Sequence, residues 1–158
     1  ATFIMDGRYG IIVRGDKEIG KTAMIQRYLE KKFVDYYDPT IGEDCLEKHH
    51  RKSGLSVTVI DNECYSSNYM EMNVTLLVFS FTSRVSFDSL QKHKNSDYGH
   101  KPNTNVIVGT KSDLKDLRQI DKEELKELAD VMGCKYFICS SLTGKNVEEI
   151  FEYAINIF

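Results

Sequence analysis

Little in this chain is extreme. Its four cysteines (Cys45, Cys64, Cys134 and Cys139) contain no Cys-x-x-Cys pair, which argues against a zinc site or a disulfide framework and for a reducing, intracellular setting. There are only two prolines, Pro39 and Pro102, each in a stretch that reads as loop. The longest apolar run, Val74 to Phe81, falls far short of the ~20 residues that span a bilayer, and no basic-then-apolar leader opens the chain. Neither a transmembrane nor a secreted protein is expected. Neither charge dominates: 21 Lys and Arg stand against 24 Asp and Glu, a net charge of −3, with the signs interspersed. No nucleic-acid partner is therefore expected.

What is there is an ordinary globular composition, 41% hydrophobic and 28% charged over 158 residues. That supports one core and one domain over residues 1–158, and excludes disorder, collagen and a mini-protein scaffold. The chain starts at Ala1 rather than Met and stops at Phe158 inside a helical pattern, which suggests a trimmed sequence. The expectation is a cytoplasmic protein whose membrane association, if it has any, comes through a lipidated tail not included here.

Tyr9 to Val13 is a short apolar run ending at Gly15, and a helical pattern starts at Lys21. Asp44–Arg51 and Leu55–Asp61 read as a hairpin across Lys52-Ser53-Gly54. Val74–Phe79 and Asn105–Val108 are continuous apolar and β-branched runs, the mark of strands covered on both faces of a parallel sheet. Helices are predicted over Ser83–His93, Lys122–Met132 and Asn146–Ile157, with a short strand over Lys135–Cys139. Asp121 reads as an N-cap with Glu124 three residues on, and Gly133 as a C-cap. Strands and helices alternate, which predicts a three-layer α/β fold on a doubly wound, mostly parallel six-stranded sheet.

Gly15-Asp16-Lys17-Glu18-Ile19-Gly20-Lys21-Thr22 fits G-x-x-x-x-G-K-[ST] between a strand and a helix. Glycines let backbone N–H groups turn inward and the helix N-terminus adds a positive dipole end, together an anion cradle. Lys21 is placed to neutralise phosphate oxygens and the Thr22 hydroxyl to ligate magnesium. A bare loop of this kind also fits a small-molecule kinase or an ATPase. His49 and His50 are consecutive in a strand pattern, so they are read as surface histidines rather than a chelating pair.

Phe33-Val34-Asp35-Tyr36-Tyr37-Asp38-Pro39-Thr40-Ile41, with its threonine 18 residues past Thr22, resembles the first switch of Ras-type small GTPases. Asp61 falls where that family keeps a magnesium-linked aspartate. Thr110-Lys111-Ser112-Asp113 resembles its guanine-reading motif, and Cys139-Ser140-Ser141-Leu142 its last guanine-contacting loop. The chain is thus similar to the Ras/Rho-type small GTPase superfamily over nearly its whole length. The resemblance implies a phosphate-loop G domain that binds GTP and GDP with Mg2+, hydrolyses GTP to GDP and phosphate, and serves signal transduction. It implies magnesium held by Thr22, Thr40 and Asp61, and catalytic positions at Lys21, Thr40 and Tyr65. Nucleotide contacts are implied for Lys17, Glu18, Ile19, Gly20, Lys21, Thr22, Ala23, Phe33, Tyr37, Thr40, Thr110, Lys111, Asp113, Ser140, Ser141 and Leu142. Asp113 would read the guanine ring N–H and amine, and Thr40 would engage the γ-phosphate only in the GTP state. Effector and regulator proteins would dock on residues 35–44 and 62–72, where Glu43, Asp44 and the tyrosines Tyr36, Tyr37, Tyr65 and Tyr69 gather. The first switch looks Ras-like, while Thr-Lys-Ser-Asp and Ser-Ser-Leu look Rho-like. The stretch from Asp113 to Ser140 is too short for the Rho insert helix, so subfamily stays open.

The pattern breaks after Asp61. Where the family continues Thr-Ala-Gly-Gln, this chain has Asn62-Glu63-Cys64-Tyr65, which loses both the mobile glycine and the glutamine that orients the attacking water. The stretch to Val74 is also short for a second-switch helix. Lys17 stands where Ras proteins keep glycine, and Arg14 where relatives have an apolar strand residue. The expectation is an atypical member with a degenerate second switch and slow or impaired hydrolysis. The alternatives are a pseudo-GTPase scaffold that does not cycle and, less favoured, a phosphate-loop kinase.

Overall fold

The computed structural model describes residues 8–32, 47–52, 55–61, 72–95 and 104–157. Six strands form one sheet: β1 (Arg8–Arg14), β2 (Glu47–Lys52), β3 (Leu55–Asp61), β4 (Met72–Ser80), β5 (Thr104–Thr110) and β6 (Lys135–Ile138). Their order is β2-β3-β1-β4-β5-β6. The β1/β3, β1/β4, β4/β5 and β5/β6 pairings are parallel. Among the described strands, only the edge pair β2/β3 is antiparallel.

The continuous apolar runs explain the layers. Along β4, Val74, Leu76 and Val78 enter one core with Met24, Ile25 and Tyr28 of α1 (Lys21–Lys32) and Ile150, Phe151 and Ala154 of α5 (Val147–Ile155). The alternate residues Leu77 and Phe79 enter the other core, with Leu90 of α3 (Leu90–Asn95) and Leu125 and Ala129 of α4 (Lys122–Met132). This is the period-2 alternation of a strand with both faces covered. Tyr28 stacks on Phe151 at 4.4 Å and its hydroxyl donates to Glu152. Burial, with that carboxylate beside it, holds its phenol above the usual tyrosine range.

The helix predicted over Ser83–His93 is divided into α2 (Arg84–Asp88) and α3. The division falls at Ser89, whose N–H and hydroxyl both donate to the Val85 carbonyl, at 3.0 and 2.8 Å. The last helix starts one residue later than expected, because Asn146 takes a left-handed φ of 61° and its Nδ2 donates to the Ile138 carbonyl. It also ends at Ile155 rather than Ile157. The strand expected to reach Cys139 stops at Ile138, and a short 3-10 turn at Lys115–Leu117 was not anticipated. The α4 caps are as read: Asp121 accepts from the Glu124 N–H, Glu124 accepts from the Asp121 N–H, and Gly133 closes the helix at φ 66°. Such an N-cap contributes about 1 kcal/mol.

In a doubly wound sheet the ligand crevice lies beyond the carboxyl ends of the strands, where the winding direction reverses. Here that point is β1, which has β3 on one side and β4 on the other. The segments following β1, β5 and β6 are the phosphate loop, Thr-Lys-Ser-Asp and Ser-Ser-Leu.

Candidate functional site

The loop Gly15–Gly20 leaves β1 and runs directly into α1. Glu18 (φ 60°) and Gly20 (φ 98°) take left-handed backbone angles on either side of Ile19, an arrangement that turns successive N–H groups into one concavity, a nest for anions. The first turn of α1 carries no acidic residue, so nothing there competes with an anion for the positive end of the helix. Lys21 is 5% exposed, and its Nζ donates to the Gly15 carbonyl at 2.7 Å. The ammonium therefore sits inside the curl of the loop. Lys17 lies exposed on the loop, and Thr22 and Ala23 are exposed on the opening turn of the helix.

The last residue of β5 and the one after it wire this loop to the second half of the site. Thr110 Oγ1 lies 2.5 Å from the Ile19 carbonyl and 3.1 Å from that of Phe79, with one proton to share between them. Lys111, at φ 59°, extends Nζ to the Glu18 carbonyl at 3.3 Å. Asp113 follows, and its Oδ1 accepts from Ser140 Oγ at 2.8 Å while Ser140 Oγ accepts from the Thr143 N–H. The Ser112 N–H donates to the Cys139 carbonyl. The two loops are thus held side by side, and Asp113 is fixed but half-exposed. The Ser141 hydroxyl is buried with no hydrogen-bond partner, and Leu142 is 77% exposed. Cys139, beneath this loop, is buried and its thiol is pushed up to about 12 by that burial. It is a packing residue, not a nucleophile.

The structure therefore brings together Lys17 to Ala23, Thr110, Lys111 and Asp113, and sets Ser140, Ser141 and Leu142 beside Asp113. Asp61 ends β3, with its backbone in register with Val13. Phe33, Tyr37, Thr40 and Tyr65 lie outside the described residues, as do both docking segments except Met72 and, with them, the expected loss of the second-switch helix. A hydroxyl at the start of α1 and a carboxylate at the end of a neighbouring strand are hard oxygen donors, the set magnesium prefers. Among the described residues, no group of three His, Cys, Asp or Glu is gathered to hold a metal ion. No helix among them is long and apolar enough to cross a membrane.

Sequence reasoning missed three things here. The left-handed Glu18 carries no residue-type signal, since glutamate is not a usual choice there. The Ser140 grip on Asp113 joins positions 27 apart. Arg14, the oddity of β1, is buried, and its Nη1 donates to the His93 carbonyl at 3.2 Å.

Comparison with known proteins gives the same picture. The Ras family model matches residues 10–158. The chain is 32% identical to the Ras-like protein rasX of Dictyostelium discoideum, over 92% of this chain and 73% of that one. It is 32% identical to the human Ras-related and estrogen-regulated growth inhibitor, over 89% and 76%. It is 30% identical to the GTP-binding protein Rheb homolog of Dictyostelium discoideum, over 92% and 85%.

Proposed function

The chain belongs to the Ras family of small GTPase-like signalling switches, and from that premise we propose that it binds GTP and GDP with magnesium and hydrolyses GTP slowly. The observation that carries this reading is the wiring of one loop to the other. Thr110 and Lys111 hold the phosphate loop by the Ile19 and Glu18 carbonyls, and Asp113 follows two residues on. A base read at Asp113 and phosphates held at Lys21 would then sit on one rigid unit.

Within that unit each residue has a physical task. Lys21 and the inward N–H groups of the loop neutralise charge on the β- and γ-phosphate oxygens. The Asp113 carboxylate accepts from the ring N–H and the exocyclic amine of guanine, a pair of donors that adenine does not offer. Thr22, Asp61 and Thr40 would hold magnesium, which would supply positive charge to offset that of the phosphates.

Slow turnover is argued from the sequence. Tyr65 occupies the position of the water-orienting glutamine and has no amide with which to hold a water in line; Cys64 removes the glycine beside it. Lys17 is exposed on the loop, where it would crowd the γ-phosphate and hinder an inserted arginine, a device worth about 10³–10⁵ in rate where it operates. Effectors and regulators would read residues 35–44 and 62–72.

Single-turnover phosphate release from preloaded GTP tests the slow step. The expected rate lies at least tenfold below the intrinsic rate of Ras itself, roughly 4 × 10⁻⁴ s⁻¹, and Tyr65→Gln should raise it. Cleavage at the ordinary Ras rate by the unaltered protein would contradict the reading.

A further inference from the structure

Arg14 and Asp16 flank Gly15, the first residue of the phosphate loop, and both end on one residue of α3. Arg14 Nη1 donates to the His93 carbonyl at 3.2 Å, and Asp16 Oδ1 is paired with His93 Nε2 at 2.9 Å. The Asp16 and His93 side chains are 31% and 18% exposed, so the pair is partly withdrawn from water, where a charged hydrogen bond is stronger than at an open surface. These contacts span 79 and 77 positions of sequence.

The two halves of the loop are held differently. The exit half, Glu18 and Ile19, is fixed from β5 through Lys111 and Thr110. The entry half is fixed from α3, where Arg14 holds the backbone of His93 and the His93 ring holds Asp16, closing a bracket around Gly15. Asp16 itself points to α3, not into the curl where Lys21 lies.

We infer that His93 is a positioning residue for the phosphate loop, acting through Asp16 to hold the loop entry against α3 and thereby setting the rate at which nucleotide leaves. The inference rests on the nucleotide-binding reading above. A loop freed at its entry samples conformations in which its N–H groups no longer converge, and a ligand held by those groups dissociates faster.

Release of a fluorescent GDP analogue from the whole chain, with magnesium present, tests it. His93→Ala and Asp16→Ala should each speed release about tenfold, the effect of losing one charge-assisted hydrogen bond. His93→Gln, which keeps an N–H donor near the Nε2 position, should stay within about twofold of the unaltered protein, and the double alanine variant should be no faster than either single one. Unchanged release from His93→Ala, no rescue by glutamine, or multiplicative effects in the double variant would each overturn the proposal. If the unaltered protein takes up no guanine nucleotide, the nucleotide reading fails instead. The bracket is then judged by amide hydrogen exchange over residues 15–20: faster exchange in His93→Ala but not in His93→Gln sustains it, and equal exchange overturns it.

Discussion

Asp113→Ala is expected to abolish the preference for guanine and to weaken GDP binding by about 10²–10⁴-fold. A hydrogen bond to a charged group contributes about 1.5–3 kcal/mol, and the carboxylate is positioned to accept two of them, so their joint loss gives that range. Ser140 holds the carboxylate in place through Oδ1, which limits the entropy lost when the base arrives. Competition between GDP, IDP and ADP for a fluorescent analogue separates specificity from general damage. IDP lacks the exocyclic amine, so it should bind the unaltered protein less well than GDP, and the variant should treat the two alike. The variant also leaves the buried Ser140 hydroxyl without its acceptor, so a fall of roughly 2–10 °C in melting temperature is expected, and the ratio of GDP to IDP affinity is the readout of base recognition. A variant that still favours GDP over IDP would remove Asp113 from the base site.

Gly15→Ala is expected to destabilise the fold by about 2–4 kcal/mol and to leave the protein without bound nucleotide. A Cβ at this position would lie 2.3 Å from the Val78 carbonyl oxygen and 2.6 Å from Ile19 Cδ1. The first obstacle is backbone in the central strand β4, paired with β1 up to Arg14 and Leu77, and it cannot swing aside as a flexible side chain can. The loop entry must move instead, carrying the Asp16–His93 bracket and the Lys21 contact with it. Thermal denaturation followed by circular dichroism should show a fall of roughly 5–15 °C, with the nucleotide content of the purified variant near zero. Normal melting and normal nucleotide content would show that the loop absorbs the methyl group.

What was legible in the sequence was what is local. Asp121, Glu124 and Gly133 announced α4 because cap chemistry is completed within a few residues. Val74 to Phe79 announced a strand buried on both faces because its neighbours impose no polar alternation. The strand runs on to Ser80 because Ser80 pairs with Thr110 across the sheet, which no window on the sequence contains. The late start of α5 turns on an Asn146 amide bonded eight residues back.

The site divides along the same line. The residues proposed for phosphate and base could be named because each motif is short and its order along the chain matches a known family. The geometry that joins them could not. Thr110 and Lys111 meet Ile19 and Glu18 across more than 90 positions. Arg14 was an anomaly in the sequence and becomes one arm of a bracket only when the fold brings His93 of α3 to it.

The most direct test of the central claim is to denature the purified protein and identify any released nucleotide by ion-exchange chromatography. A guanine-nucleotide site held by Lys21, Lys111 and Asp113 should release GDP or GTP at close to one per chain, with GTP prominent if hydrolysis is slow. Release of an adenine nucleotide, or of none from protein that also fails to take up GDP in the presence of magnesium, would contradict it.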